Sequence, residues 1–250
     1  MLRNASAIKG YAIAASDGRI GHVSDFLFDD ASWLVRWLVV DTGNWLSGRK
    51  VLLPPSAMGR PTATENEFPV SLTRQQVKDS PDSDTDRPVS RQIEANIYGY
   101  YGWQPYWGTD MLMGGYGYGA GFGGGIAGAL PANDSRQRAE DVAIARASDN
   151  DPHLRSIKAV TGYHIHAVDG EIGHLDDFIV EDTDWSIRNL IVNTKNWWPG
   201  KNVLIAPSSI DTIDWTDHLV KLNVDRKRVK DSPTYDVSAT VDRALLETFP

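Results

Sequence analysis

The chain has 250 residues, no cysteine and a formal net charge of -8, which excludes a disulfide framework and a thiolate metal site. Acidic and basic residues are interspersed, which argues against a large nucleic-acid footprint; the one basic cluster, Arg226-Lys227-Arg228 with Lys230, reads as a solvated face beside Asp225 and Asp231 rather than a phosphate site, and no nucleic-acid partner is expected. No long apolar run occurs, at the N-terminus or elsewhere, so neither a signal peptide nor a spanning segment is expected, and the expected location is cytoplasmic.

In chain order, residues 8–15 (IKGYAIAA) predict a first strand, and Asp17-Gly18 predicts a tight turn, because glycine supplies positive φ without a Cβ clash. A second strand is expected over 20–29 and a third over 35–41 (VRWLVVD), rich in β-branched and aromatic residues. The loop 42–48 (TGNWLSG) leads to a fourth strand near 50–53, which Pro55-Ser56 ends. Weaker edge strands follow, with Pro61 and Pro69 among them. A short helix closes the segment, with Thr73 as its N-cap and residues 77–81 (VKDSP) ending it.

The same elements then recur. Residues 160–233 overlie residues 8–81 without a gap at an offset of 152, with 31 of the 74 pairs identical. A repeat of this kind is read before any other feature, because what both copies keep is architecture first. The second copy has Asp169-Gly170 at the turn, TKNWWPG in the loop, a clearer hairpin over residues 210–224 with its turn at Thr216-Asp217, and a helix capped by Asp225. Further helices are expected near 89–97, 134–148 and 241–248. Between the copies lies an aromatic run (YGYYGWQPYW, 98–107), then an uncharged stretch (111–133) in which nine of 23 residues are glycine. Glycine at that density makes ordering entropically expensive, so a flexible linker is expected, with self-association or partner binding through the aromatic run as the alternative.

The fold expected is therefore mainly β: two small antiparallel β-barrels of about six strands each, with short helices, joined by a Gly/Tyr-rich linker. The boundaries expected are 1–97 for the first repeat with its trailing helix, 98–152 for the linker and 153–250 for the second repeat.

The paired motif G-Y-x-I-x-x-x-D-G-x-I-G-H-[VL]-x-D-F, the N-W-x-x-G loop and the P-S after the fourth strand resemble the PRC-barrel family. That family shares its fold with the cytoplasmic domain of the photosynthetic reaction-centre H subunit and with the C-terminal domain of the ribosome-maturation factor RimM. The tandem arrangement resembles its two-barrel bacterial branch. Neither specific role is implied, since no reaction-centre-type helix precedes the first copy and no RimM-like N-terminal domain is found. The resemblance implies a compact module for protein interaction or assembly, with no common catalytic residues.

Asp17, Gly18, Gly21 and His22, with Asp169, Gly170, Gly173 and His174, read as turn and core frame, the histidines bonding to backbone or to Asp25 and Asp177. Asp25/Asp177 and Asp30/Asp182 recur and read as backbone acceptors or partners of Arg36/Arg188. Trp33 and Trp185 read as core. No nucleophile elbow, phosphate loop or HExxH motif is present, so no enzyme, cofactor or metal is expected. The residues most suited to an interface are in the tryptophan loop, Asn44 and Trp45 with Asn196, Trp197 and Trp198, and Trp45 and Trp197 fit either packing between the barrels or binding of a partner. The expected work is that of an adaptor or scaffold that binds another protein or itself. The alternative is a small-ligand or metal-binding sensor using His164, His166 and His174, the first two sharing one strand face.

Overall fold

The computed structural model describes residues 1–61, 66–81, 89, 91–106, 154–194, 201–232 and 234–235. Met1–Lys78 and His153–Pro250 form one compact unit that holds both repeats, and Asp79–Pro152 form another. The expected helices at 134–148 and 241–248 lie outside the described residues, as does the glycine-rich stretch.

Repeat one runs β1 (Leu2–Asn4), α1 (Ala5–Ile8), β2 (Ala12–Ala15), β3 (Gly18–Asp29), β4 (Leu34–Asp41), β5 (Lys50–Leu53), β6 (Glu67–Pro69) and α2 (Arg74–Lys78). Helix α3 (Arg91–Tyr101) belongs to the other unit. Repeat two runs β7 (Leu154–Ser156), α4 (Ile157–Val160), β8 (His164–Ala167), β9 (Gly170–Glu181), β10 (Ile187–Asn193), β11 (Asn202–Ile205), β12 (Ile210–Asp214), β13 (Leu219–Leu222), α5 (Arg226–Lys230) and β14 (Thr234–Tyr235).

The protein is mainly β, with two sheets. One has the order β5-β4-β3-β2-β6 and the other β12-β13-β8-β9-β10-β11-β14. Each is mixed rather than wholly antiparallel: β2 pairs in parallel with β6, and β8 with β13. Parallel neighbours need a long crossover, and the intervening β3–β5 and β9–β11 meanders supply it.

The two sheets exchange strands. β1 pairs with β9 of repeat two (Leu2 opposite Glu181), and β7 pairs with β3 of repeat one (Leu154 opposite Asp29). The exchange is reciprocal at the 152-residue offset. Between them, Leu34 bridges Ser186. Val35 N–H donates to the Trp185 carbonyl at 2.9 Å, and Ile187 N–H to the Trp33 carbonyl at 2.8 Å.

This docking explains why the second strand of each repeat loses its alternation near the end. Phe26, Leu27 and Phe28 are consecutive and all buried, as are Phe178, Ile179 and Val180. The exchanged strand pairs along the edge of β3 or β9 and its short helix packs on the same stretch, which leaves neither face to solvent and produces an unbroken apolar run. Phe28 and Phe178 have ring centroids 5.5 Å apart across the two repeats. Such aromatic pairs contribute about 0.5–1.5 kcal/mol beyond the area they bury.

The closing helices are capped as the sequence predicts. Gln76 N–H donates to Thr73 Oγ1, while Gln76 Oε1 accepts from the Thr73 N–H, and Arg228 N–H donates to Asp225 Oδ1 at 2.8 Å. Helix α3 departs from expectation. It runs on through Tyr101, so the aromatic run opens inside a helix rather than as linker from residue 98. Gly102, at φ +69°, ends it: its N–H reaches the Gly99 carbonyl and Trp103 N–H the Tyr98 carbonyl, a Schellman closure. Tyr101 then stacks on Trp103 at 4.2 Å.

Candidate functional site

The recurring polar residues are most simply understood by what each touches. Asp17 Oδ1 accepts from the Arg74 N–H, and Asp169 Oδ1 from the Arg226 N–H, each at 2.8 Å. The Asp-Gly turn therefore does two jobs. Its glycine takes the left-handed backbone (Gly18 φ +135°, Gly170 φ +139°), and its aspartate anchors the closing helix. Gly21 and Gly173 are required by close approach: a Cβ there would lie 2.0 Å from the carbonyl oxygen of Asp41 or Asn193.

Asp25 and Asp177 hold the repeats together. The Asp25 carboxylate accepts from the Ser156 hydroxyl (2.5 Å) and the Lys158 N–H (3.0 Å), and Asp177 accepts from the Ser6 hydroxyl (2.5 Å) and N–H (3.2 Å). Burial pushes the Asp177 carboxyl up from its ordinary value, against the lowering effect of the Ser6 and Phe178 hydrogen bonds.

Asp30 and Asp182 also bridge the repeats, and here the expectation of Arg36 and Arg188 as partners is corrected. Arg155 Nε lies 2.6 Å from Asp30, and Arg3 Nε lies 3.0 Å from Asp182. Arg36 pairs instead with Asp29 at 3.2 Å and Arg188 with Asp184 at 2.8 Å. The reason is strand exchange: β1 and β7 deliver arginines that precede the aligned stretches 8–81 and 160–233. The signal was present, since Leu2-Arg3 and Leu154-Arg155 match at the same offset. Burial opposes the charge on Asp182, but hydrogen bonds from the Met1 ammonium and from Arg3, with their positive charges, hold its carboxyl below the ordinary value.

The histidines lie on outer surfaces rather than in the core. His22 is exposed and His174 half-buried, and among the described residues neither side chain makes a hydrogen bond, to Asp25, to Asp177 or to anything else. His174 stands opposite His164 in the β8–β9 ladder, with His166 on the same face, and His164 Nδ1 lies 3.0 Å from Glu171 Oε1. Among the described residues, no group of three or more His, Cys, Asp or Glu is arranged to hold a metal ion.

In the tryptophan loop, Asn44 is exposed on a 3-10 turn (Gly43–Leu46) and Trp45 is half-buried. The Arg74 guanidinium lies 4.5 Å above the Trp45 ring, a cation–π contact that ties the loop to α2. Asn196, Trp197 and Trp198 lie outside the described residues.

Trp33 and Trp185 both take left-handed backbone, at φ +56° and +59°. A bulky residue rarely does so without strain, and here the inter-repeat hydrogen bonds to both carbonyls hold the conformation. Their rings part company. Trp185 is 7 % exposed and packs on Phe26 (6.3 Å) and Phe68 (5.6 Å) of repeat one. Trp33 is half-exposed and stacks on Phe28 of its own repeat at 5.6 Å. At the offset of 152, Val220 stands where repeat one has Phe68.

Fold and site together define a small mainly-β module whose shared polar residues serve its own assembly. Residues 2–63 match the family model of the PRC-barrel domain, so the first repeat is a PRC-barrel domain. No curated protein matches the chain. No helix among the described residues is long and apolar enough to cross a membrane.

Proposed function

We propose that the chain is a non-enzymatic, cytoplasmic adaptor or scaffold built from two pseudo-symmetric PRC-barrels, residues 154–235 forming the second. The observation that carries this reading is the fate of the shared polar groups. Asp17/Asp169 anchor helices, Asp25/Asp177 and Asp30/Asp182 fasten one repeat to the other, and Gly21/Gly173 allow strands to cross closely. The aspartates and glycines retained twice are thus engaged in the frame. The repeat of the element order, the registers and the inter-repeat bonds at one offset supports the second barrel.

What is left for a partner is the outer surface, where the Asn44–Trp45 loop offers an aromatic anchor beside an exposed amide, with Asn196, Trp197 and Trp198 its sequence counterparts. Aromatic and arginine anchors dominate interface energetics. The test is crosslinking capture from the source lysate with the full chain and with its Asn44→Ala/Trp45→Ala variant. A discrete partner captured by the parent and lost by the variant supports the reading. Capture that is equal for both removes the loop from it, and the absence of any partner above a β-protein control ends it.

A further inference from the structure

The two flanks of the repeat pair differ in a way that leaves a site on one of them. Where Trp185 is buried against Phe26 and Phe68, its counterpart Trp33 stays half-exposed and borders a groove of about 330 Å³. Asp30, Trp33 and Arg155 form one wall, and Ile210, Asp211 and Ile213 of β12 lie on the other. The groove therefore exists only where the two repeats meet.

Its second wall is the edge of a sheet. β12 ends the strand order and pairs with β13 alone, so among the described residues nothing pairs with its outer side. Successive side chains of a strand point to opposite faces. Consecutive residues of β12 line the groove, which is what a strand approached edge-on presents. Such an edge offers unpaired N–H and C=O groups as a template for another strand. Among the described residues, repeat one shows no equivalent strand. There Met58 makes an isolated bridge to Val70, Gly59 packs on Pro69, and Pro61 removes a donor.

Charge selects the occupant. Arg155 is neutralised by Asp30 at 2.6 Å and lies 4.7 Å over the Trp215 ring. Asp211 is exposed and has no ionic partner among the described residues, and Asp214, at the end of the same strand, adds a second acid. The edge is thus net negative. A second copy of β12 laid antiparallel would bring acids 211 and 214 of the two chains together, so self-pairing is disfavoured.

We propose that this groove binds an extended, alternating basic and aliphatic segment of a partner protein as an added strand on β12, with an aliphatic side chain beside Trp33 and a Lys or Arg beside Asp211. The proposal rests on the reading of the chain as an interaction module and names the chemistry of one partner segment.

The experiment uses the full chain and three labelled, end-blocked heptapeptides: Lys-Val-Lys-Val-Lys-Val-Lys, its Glu-for-Lys counterpart, and a form with Pro at the central Val. Fluorescence anisotropy reads binding at physiological salt. The expected result is a dissociation constant below about 1 mM for the Lys/Val peptide. Asp211→Lys, an exposed change that leaves the core intact, weakens it about tenfold, as does Trp33→Ala. The Pro and Glu peptides bind at least about tenfold more weakly than the parent peptide. Equal binding of the Lys/Val and Pro peptides would show attraction by charge alone and overturn the proposal. So would indifference to Asp211→Lys, or a dimer of the free chain that Asp211→Lys dissociates, which would give the edge to a second copy. If the peptides fail while capture dependent on Trp45 persists, the groove falls and the adaptor reading stands; if both fail, both fall.

Discussion

Trp33 and Trp185 occupy the same place in two copies of one motif and end in different surroundings. Both hold left-handed backbone, and both give their carbonyls to the other repeat. One ring is sealed by Phe68; for the other the position equivalent to Phe68 is Val220, and the ring keeps part of its surface in water. The difference teaches that the backbone frame of the pair is set by what the copies share, while its surface is set by a few unshared side chains. A repeat of this kind gains a distinct face without altering a strand register.

Four measurements would break or sharpen that comparison. The largest effect is expected where the copies are identical. Gly21→Ala or Gly173→Ala places a Cβ 2.0 Å from a carbonyl oxygen and should cost more than about 4 kcal/mol, read as a collapse of the urea midpoint or loss of soluble protein in both cases. The tryptophans should then diverge. Trp185→Ala removes a buried ring and should cost about 3–5 kcal/mol, whereas Trp33→Ala should cost less than half as much; equal midpoints would refute the claimed asymmetry.

Next come the inter-repeat anchors. Asp25→Ala and Asp177→Ala should each cost about 1–3 kcal/mol, because each removes the shared acceptor of a hydroxyl and an N–H from the other repeat and of the N–H of the next residue. Ser156→Ala should cost more than Ser6→Ala, since Ser156 also caps α4 through the Ala159 N–H. The smallest effect is that of pH. Asp182 has a lowered carboxyl pKa, so its contribution to stability is present above the ordinary carboxylate range and is lost as pH falls through the lowered value. Asp182→Asn should therefore flatten the acid limb of a stability-against-pH curve. Asp177, with a raised pKa, disfavours its own ionised form, so its contribution falls as pH rises from the ordinary value through the raised one. Asp177→Asn should remove a slope of opposite sign.

The frame was largely legible in the sequence. Asp-Gly at 17–18 and 169–170, the β-branched third strand and the capped closing helices all follow from local chemistry, which repeats because backbone geometry repeats. The hairpin β12–β13 was legible from alternation alone. What escaped were contacts made over long sequence distances. The partners of Asp30 and Asp182 sit on three-residue strands too short to show a period, and the left-handed tryptophans carry no residue-type signal, since neither is glycine. The strand over 20–29 is legible, but nothing local to Phe26, Leu27 and Phe28 tells that all three are buried by contact with a second repeat. The candidate site was legible only in part: Trp45 was singled out, but its cover by Arg74 was not, and the β12 groove needs both repeats to exist.

Strand exchange also bears on how the chain is made. Leu154–Ser156 complete the sheet of repeat one, so that sheet lacks a strand until well over half of the protein has left the ribosome. At about 5–20 residues per second the wait from the end of α2 is several seconds. During it the unpaired side of β3 near Leu27 and Phe28 is an open template. Pairings this distant in sequence also slow folding, because loop closure must precede the contacts that reward it. The order of synthesis thus makes the first repeat depend on the second, and any truncation before residue 154 leaves β3 exposed to a strand from another molecule.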